Sequence, residues 1–247
     1  MKKISVFILL TLKQSVRDRF FLAVIFLAGF YILLSVFLAL LSVGHHAYVL
    51  RRISLAGVEL LSLLLLCVSI TTSFSRERDT RIREVYLTSF SPALYLGGKL
   101  LGYILLAFFF LGFCLLACLP VLLFNQAFAF SFLTSFYYLW LKLSLVCGLA
   151  LFFSVVCSSL FTALISILAL YLAAEILPQA LVIVTRFGSG FQKDLLELLS
   201  LILPRTDLLQ SASGSGPEQA VIGFIYCALY LFILWLGSLL VIQKKEY

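Results

Sequence analysis

Residues 139–183 read LWLKLSLVCGLALFFSVVCSSLFTALISILALYLAAEILPQALVI, an apolar run in which only Lys142 and Glu175 carry charge. As one helix, these roughly 45 residues would extend about 67 Å, about twice the hydrocarbon thickness of a bilayer. Two helices folded back at Cys157-Ser158-Ser159 fit that thickness. The run therefore predicts crossings over 139–157 and 160–183. Four further apolar runs lie outside it, over 20–43, 53–74, 100–124 and 220–242, and of these only 53–74 contains a charge, Glu59. Lipid offers the backbone no hydrogen bonds, and a helix supplies its own. The expected fold is an all-α integral membrane protein with six transmembrane helices.

Composition agrees with that reading. The chain of 247 residues is 63% hydrophobic and 12% charged and has 24 phenylalanines. No stretch has the mixed polarity of a soluble domain with its own packed core. A single transmembrane domain over 1–247 is expected. The net charge of +7 comes from basic residues beside apolar runs, without a solvated basic face, so these residues act as topology signals and no nucleic-acid partner is expected.

With the N-terminus inside, the inner set comprises Lys2, Lys3, Lys13, Arg17 and Arg19, then Arg76, Arg78, Arg81, Arg83 and Lys99, and last Lys244 and Lys245. That is twelve of the 18 lysines and arginines, which favours both termini being cytoplasmic. A five-span count, with 139–183 crossing once, places thirteen inside and five outside. Charge does not separate the two counts; length does. The first apolar run starts at Phe20, is about twice as long as a signal-peptide core and lacks a small-residue cleavage pattern, so no cleavable signal is expected. Before it, Ile4, Phe7, Ile8, Leu12 and Val16 recur at helical spacing. Residues 1–19 are expected to form an amphipathic helix in the cytoplasmic interface that turns into the first span. The alternative is a helix that merely extends that span.

Between the second and third spans, residues 75–99 read SRERDTRIREVYLTSFSPALYLGGK. Arg76, Glu77, Arg78, Asp79, Arg81, Arg83 and Glu84 are dense enough to be solvated. No Pro or Gly interrupts residues 76–91, which predicts a helix ended by Pro92, with Gly97-Gly98 before Lys99 at the membrane entry. Ile82, Val85, Tyr86 and Phe90 keep an apolar side at helical offsets, one that a partner protein could cover while Arg and Glu rim the contact. The plain alternative is a basic loop that only sets topology.

An interfacial helix, a first span, a short outer loop, a second span and then SRERDTRIREVYLTSFSPALYLGGKLLG together resemble the membrane subunits of type-2 ABC exporters. Glu77, Pro92, Gly98, Lys99 and Gly102 occupy the matching places, and the stretches LTLKQSVRDRFF and LILPRTDLL also look like family features. Where many relatives have a basic residue shortly after the Pro, this chain has Ala93 and Leu94. The resemblance implies that residues 75–99 form a cytoplasmic coupling segment. Arg76, Glu77, Arg78, Arg81, Ile82, Arg83, Val85, Tyr86 and Phe90 would dock a separate ABC-type ATPase. It also implies a bacterial inner (cytoplasmic) membrane location and pairing with a second permease copy or a close relative. The chain has no G-x-x-x-x-G-K-[ST] loop, so it is expected to be a non-catalytic subunit that binds no cofactor itself, with ATP and Mg on the partner.

Other chemistry is sparse. His45 and His46 are adjacent and have no nearby Cys or acid, so they read as a polar outer turn. Cys67, Cys114, Cys118, Cys147, Cys157 and Cys227 all fall in expected spans and read as small packing residues. Gly98 and Gly102 form a G-x-x-x-G suited to close helix packing. Glu59, Lys142 and Glu175 are expected near the outer ends of their spans, either snorkelling to water or lining a substrate path. In the outer loop over 184–219, Leu195, Leu196, Leu199, Ile202 and Leu203 suggest a short helix, either closing the exit or resting on the membrane. Pro204 interrupts it, and Ser215 with Glu218 suggests a capping box.

Two functions fit. One is a permease that couples ATP hydrolysis by the separate ATPase to export of a hydrophobic or amphipathic substrate. The other is an ATP-driven force-transmitting anchor acting on a periplasmic partner in metalloenzyme maturation or cytochrome assembly. A membrane-embedded enzyme is disfavoured, since no acids, His or Cys converge on one expected face.

Overall fold

A computed structural model describes residues 2–41, 46–80, 90–124, 130–187, 196, 199, 203–209 and 217–245. Among these, seven α-helices and one short 3-10 helix form: α1 (Lys2–Val16), α2 (Arg19–Leu41), α3 (His46–Asp79), α4 (Pro92–Phe124), α5 (Phe130–Val156), α6 (Leu160–Phe187), the 3-10 helix Thr206–Leu209, and α7 (Pro217–Lys245). The six helices α2 to α7 are each long and apolar enough to cross a bilayer. The break at Cys157-Ser158-Ser159 is where the sequence places it, so 139–183 crosses twice.

Helix α5 is the hub. In its apolar window 78% of the residues are buried, against 22% in α2 and α6 and 17% in α7. It packs on α3, α4, α6 and α7, while α2 and α7 turn large apolar side chains such as Phe26, Phe30, Phe232 and Ile233 outward. An outward apolar surface of that kind is what lipid covers. Helix α2 packs on α3 through a close approach at Gly57, where a Cβ would overlap the Tyr31 ring.

Three features of the charged segment differ from expectation. Helix α3 runs through Ser75–Arg78 to Asp79 without a break. Pro92 also starts a helix: it is the first residue of α4, where its fixed φ fits and its missing N–H leaves no bond unmade. The Ser91 carbonyl accepts from the Leu94 and Tyr95 amides at 3.0 and 3.2 Å, and Gly97-Gly98 lies inside α4. The expected coupling helix itself, with Arg81, Ile82, Arg83, Val85 and Tyr86, lies outside the described residues.

Helix α1 stops at Val16, and the chain turns at Arg17-Asp18 into α2, so it does not extend the first span. Its expected stripe is rotated. Phe7, Thr11 and Ser15 are buried, Ile8 and Leu12 are half-buried and Val16 is exposed; the Ile4 side chain lies outside the described ones. The reason lies in what α1 meets. Phe7 stands edge-on to Phe90 and Tyr95, with centroids at 5.1 and 6.0 Å. Thr11 fills the space left by Gly102, where a Cβ would lie 2.8 Å from the Thr11 Cβ, and Ser15 accepts from the Ser69 hydroxyl at 3.3 Å. Gly102 thus serves close helix packing, with α1 as its neighbour.

Beyond α6 the described residues of the outer loop pack onto the bundle. Leu203 is buried with Leu177 and Ala174, and Leu196 and Leu199 pack against them. Thr206 donates to the Ala174 carbonyl at 3.0 Å, and the Arg205 amide donates to the Tyr226 hydroxyl at 2.8 Å. Leu195, Ile202 and Ser215 lie outside the described residues.

Six crossings put α1 and the end of α7 at one end of the bundle. In a cysteine-free background, Thr80→Cys and Lys244→Cys are expected to label from one side of the membrane, and Tyr48→Cys and Gln219→Cys from the other. Lys244→Cys labelling from the same side as Tyr48→Cys would defeat this topology.

Candidate functional site

Two ionic clusters, one buried and one partly open, hang on one helix. Glu59 and Glu77 lie eighteen residues apart on α3, five turns and about 27 Å, so both leave the same side of it. Each is met by a lysine and a tyrosine hydroxyl from other helices.

At the charged end, Glu77 is 4% exposed and Lys99 of α4 is 2% exposed. The Lys99 ammonium lies 2.5 Å from Glu77 Oε2 and 3.5 Å from Ser73 Oγ. Tyr95, one turn before Lys99, donates its hydroxyl to the same Glu77 oxygen at 2.5 Å. The ammonium also stands 4.1 Å from the centre of the Phe74 ring and 5.1 Å from that of Tyr95. Aromatic faces attract a cation, so the charge is neutralised on one side and cushioned on two others. Glu77 is therefore not among the water-facing charges as expected; it turns inward because Lys99 and Tyr95 offer it partners there.

Next to it, Arg78 reaches across to the α5–α6 turn. Its guanidinium donates to the carbonyls of Cys157 and Ser158 at 3.1 and 2.6 Å. These belong to the C-terminal end of α5, where free carbonyls and the helix dipole favour a cation. Arg76 stays exposed, and Phe90, expected on a docking face, is half-buried against Phe7. The last turns of α3 are thereby tied to α1 by Ser69, to α4 by Glu77 and to the α5–α6 turn by Arg78.

The second cluster joins Glu59, Lys142 and Glu175. Lys142 is bonded to Glu59, and Glu175 Oε2 lies 2.8 Å from its nitrogen as an ion contact without hydrogen-bond alignment. Tyr171 donates its hydroxyl to Glu59 at 2.6 Å, and the Lys142 nitrogen stands 5.3 Å from the centre of its ring. The expected positions near the outer span ends are corrected. Helix α5 begins at Phe130, not Leu139, which puts Lys142 about 18 Å from its start and near its middle. Glu175 lies equally far from the end of α6. From that depth Lys142, 7% exposed, does not snorkel; it is neutralised by carboxylates on both neighbouring helices. An isolated charge at such depth costs roughly 3 kcal/mol on insertion scales, which mutual pairing offsets.

The two tyrosines were missed, though a signal for each was present. YLGGK and YLAAE both place a tyrosine four residues before a charge in an apolar run, so each tyrosine shares a helix face with a charged member of its cluster. Among the described residues no group of three His, Cys, Asp or Glu is placed to hold a metal ion. The six cysteines are free thiols. Comparison with known proteins finds no family model that matches the chain and no curated protein that matches it.

Proposed function

We propose that this multi-pass membrane protein is the permease subunit of an ATP-binding cassette exporter, driven by a separate ATPase that carries ATP and Mg. The observation that carries the reading is the buried Glu77–Lys99–Tyr95 junction. It clamps the end of α3 to the start of α4, on either side of the segment whose sequence suits a docking helix. A push on residues 81–89 would be delivered to both helices as one body. The Arg78 bonds to the α5–α6 turn and the Ser69–Ser15 contact to α1 would spread it further. Helix α3 then acts as a rod from the docking segment to the mid-depth cluster. Glu59 and Glu175, each about a third exposed, give that cluster an open side that faces the substrate path in this reading. A second copy of the chain, or a close relative, completes the path, and the excess of Lys and Arg at the basic end supports a cytoplasmic position for that end in a bacterial inner membrane.

The test is affinity purification of the tagged chain from its native membrane, with the ATPase recovered per inserted chain as readout. Combining Arg81→Glu, Arg83→Glu and Tyr86→Ala is expected to lower recovery at least tenfold, since an aromatic anchor and its charged rim carry much of such an interface. Insertion should be unchanged, because the five basic residues before the first span still orient the chain. Undiminished recovery would sink the docking role, and ATP hydrolysis by the pure isolated chain would sink the division of labour.

A further inference from the structure

We infer that the cleft between α1 and α3 holds the phosphate headgroup of an anionic phospholipid. The cleft, of about 1200 Å³, opens at the basic end of the bundle, between the α1–α2 turn and the last turns of α3. Lys13, Arg17, Arg19 and Arg76 line it, and none of the four has an ion-pair partner among the described residues. The two acids on its wall are already engaged. Asp18 turns its carboxylate to the Phe20 amide at the start of α2, 3.3 Å away, and Glu77 is held by Lys99. The cleft wall thus carries cations in excess.

Hydroxyl side chains line it as well. Ser15, Ser69, Thr72 and Ser73 lie there, in a chain that is otherwise 63% hydrophobic. The Ser69 and Thr72 hydroxyls already donate to Ser15 and to the Val68 carbonyl, so the donors offered to phosphate oxygens are the guanidinium and ammonium groups, with arginine suited to bidentate contact. The cleft follows α3 from Ser69 to Thr80, about 16 Å, from the apolar span to the charged end. Leu10 stands on its rim, and Leu22 and Phe26, 62% and 80% exposed, continue from the turn along α2. A soluble anion would use only the charged end. A phospholipid would use both, with its phosphate among the cations and its chains along α2, where basic pockets and apolar helix surfaces meet at the headgroup level.

The experiment reconstitutes the intact protein in nanodiscs of equal parts phosphatidylglycerol and phosphatidylcholine and reads retained lipid by native mass spectrometry. One phosphatidylglycerol per chain is expected to remain. Each cation near a membrane surface contributes roughly fivefold, so Arg17→Gln, Arg19→Gln and Arg76→Gln together should lower retention roughly a hundredfold. The corresponding triple Arg→Lys variant, which keeps the charge, should stay within roughly threefold of the parent. If the triple Gln variant does not insert, Arg76→Gln alone, expected to lose roughly fivefold, carries the same test. Equal retention of phosphatidylcholine, or undiminished retention in the Gln variants, overturns the proposal. Binding of inorganic phosphate to the cleft without retained lipid overturns the lipid as its source.

Discussion

Lys142→Met should destabilise the protein by about 2–3 kcal/mol, less than for a fully buried pair because Glu59 and Glu175 are each about a third exposed, lowering its unfolding temperature in detergent by on the order of 5–10 °C. The substitution keeps most of the side chain's length and removes the cation that pairs with both Glu59 and Glu175. Two carboxylates near the middle of the bundle then face each other, with the Tyr171 hydroxyl as the donor left on Glu59 among the described residues. Breaking a buried ion pair from one side is expensive because the partner charge stays behind. Replacing the whole set is not. The triple variant Glu59→Gln, Lys142→Met, Glu175→Gln should therefore recover most of the lost stability. The measurement is thermal unfolding followed by size-exclusion monodispersity, in parent, single and triple variants. A single variant as stable as the parent would show that the cluster contributes nothing to holding α3, α5 and α6 together.

The second large effect is expected at the other end of α3. Lys99→Met leaves Glu77 buried with Tyr95 as its remaining donor, and Glu77→Gln leaves the Lys99 ammonium between two aromatic rings without its counter-charge. Each single change should cost about 3–5 kcal/mol. The double variant should cost less than the sum of the two by about 2 kcal/mol, the sign of a direct interaction in a double-mutant cycle. Additive losses would mean that the two residues act independently, despite their 2.5 Å contact. If the exporter reading holds, the double variant also inserts normally but responds weakly to its ATPase, because α3 and α4 no longer move as one body. Exchange of the pair, Glu77→Lys with Lys99→Glu, should restore less than full stability, since the Tyr95 hydroxyl, which donates to the Glu77 carboxylate on α3, would meet an ammonium there instead.

The six crossings were legible from apolar run length because lipid makes a local demand: each residue in a span faces hydrocarbon or another apolar helix wherever the helix packs. The fold-back at Cys157-Ser158-Ser159 followed from the same arithmetic. The start of α5 did not. Residues 130–138 read FSFLTSFYY, whose serines and threonine lower the apolar signal. In a helix such hydroxyls turn back onto the preceding turn's carbonyls, as Ser144 does to Trp140 at 2.8 Å, so they do not end it. Starting α5 nine residues earlier moved Lys142 from the membrane edge to the middle of the bundle.

Sequence alone also identified Glu59, Lys142 and Glu175 as unusual, because a charge inside an apolar run stands out without knowledge of its neighbours. Only the packing of α3 against α5 and α6 made them one cluster, and only the packing of α3 against α4 turned Glu77 away from water. Periodicity reports which side of a helix is apolar. It does not report which helix lies against that side, and an ion pair needs two atoms brought within a few ångströms from positions 22 to 83 residues apart in the chain. That choice belongs to the tertiary structure, where α3 lies against α4, α5 and α6 and so brings these charges together.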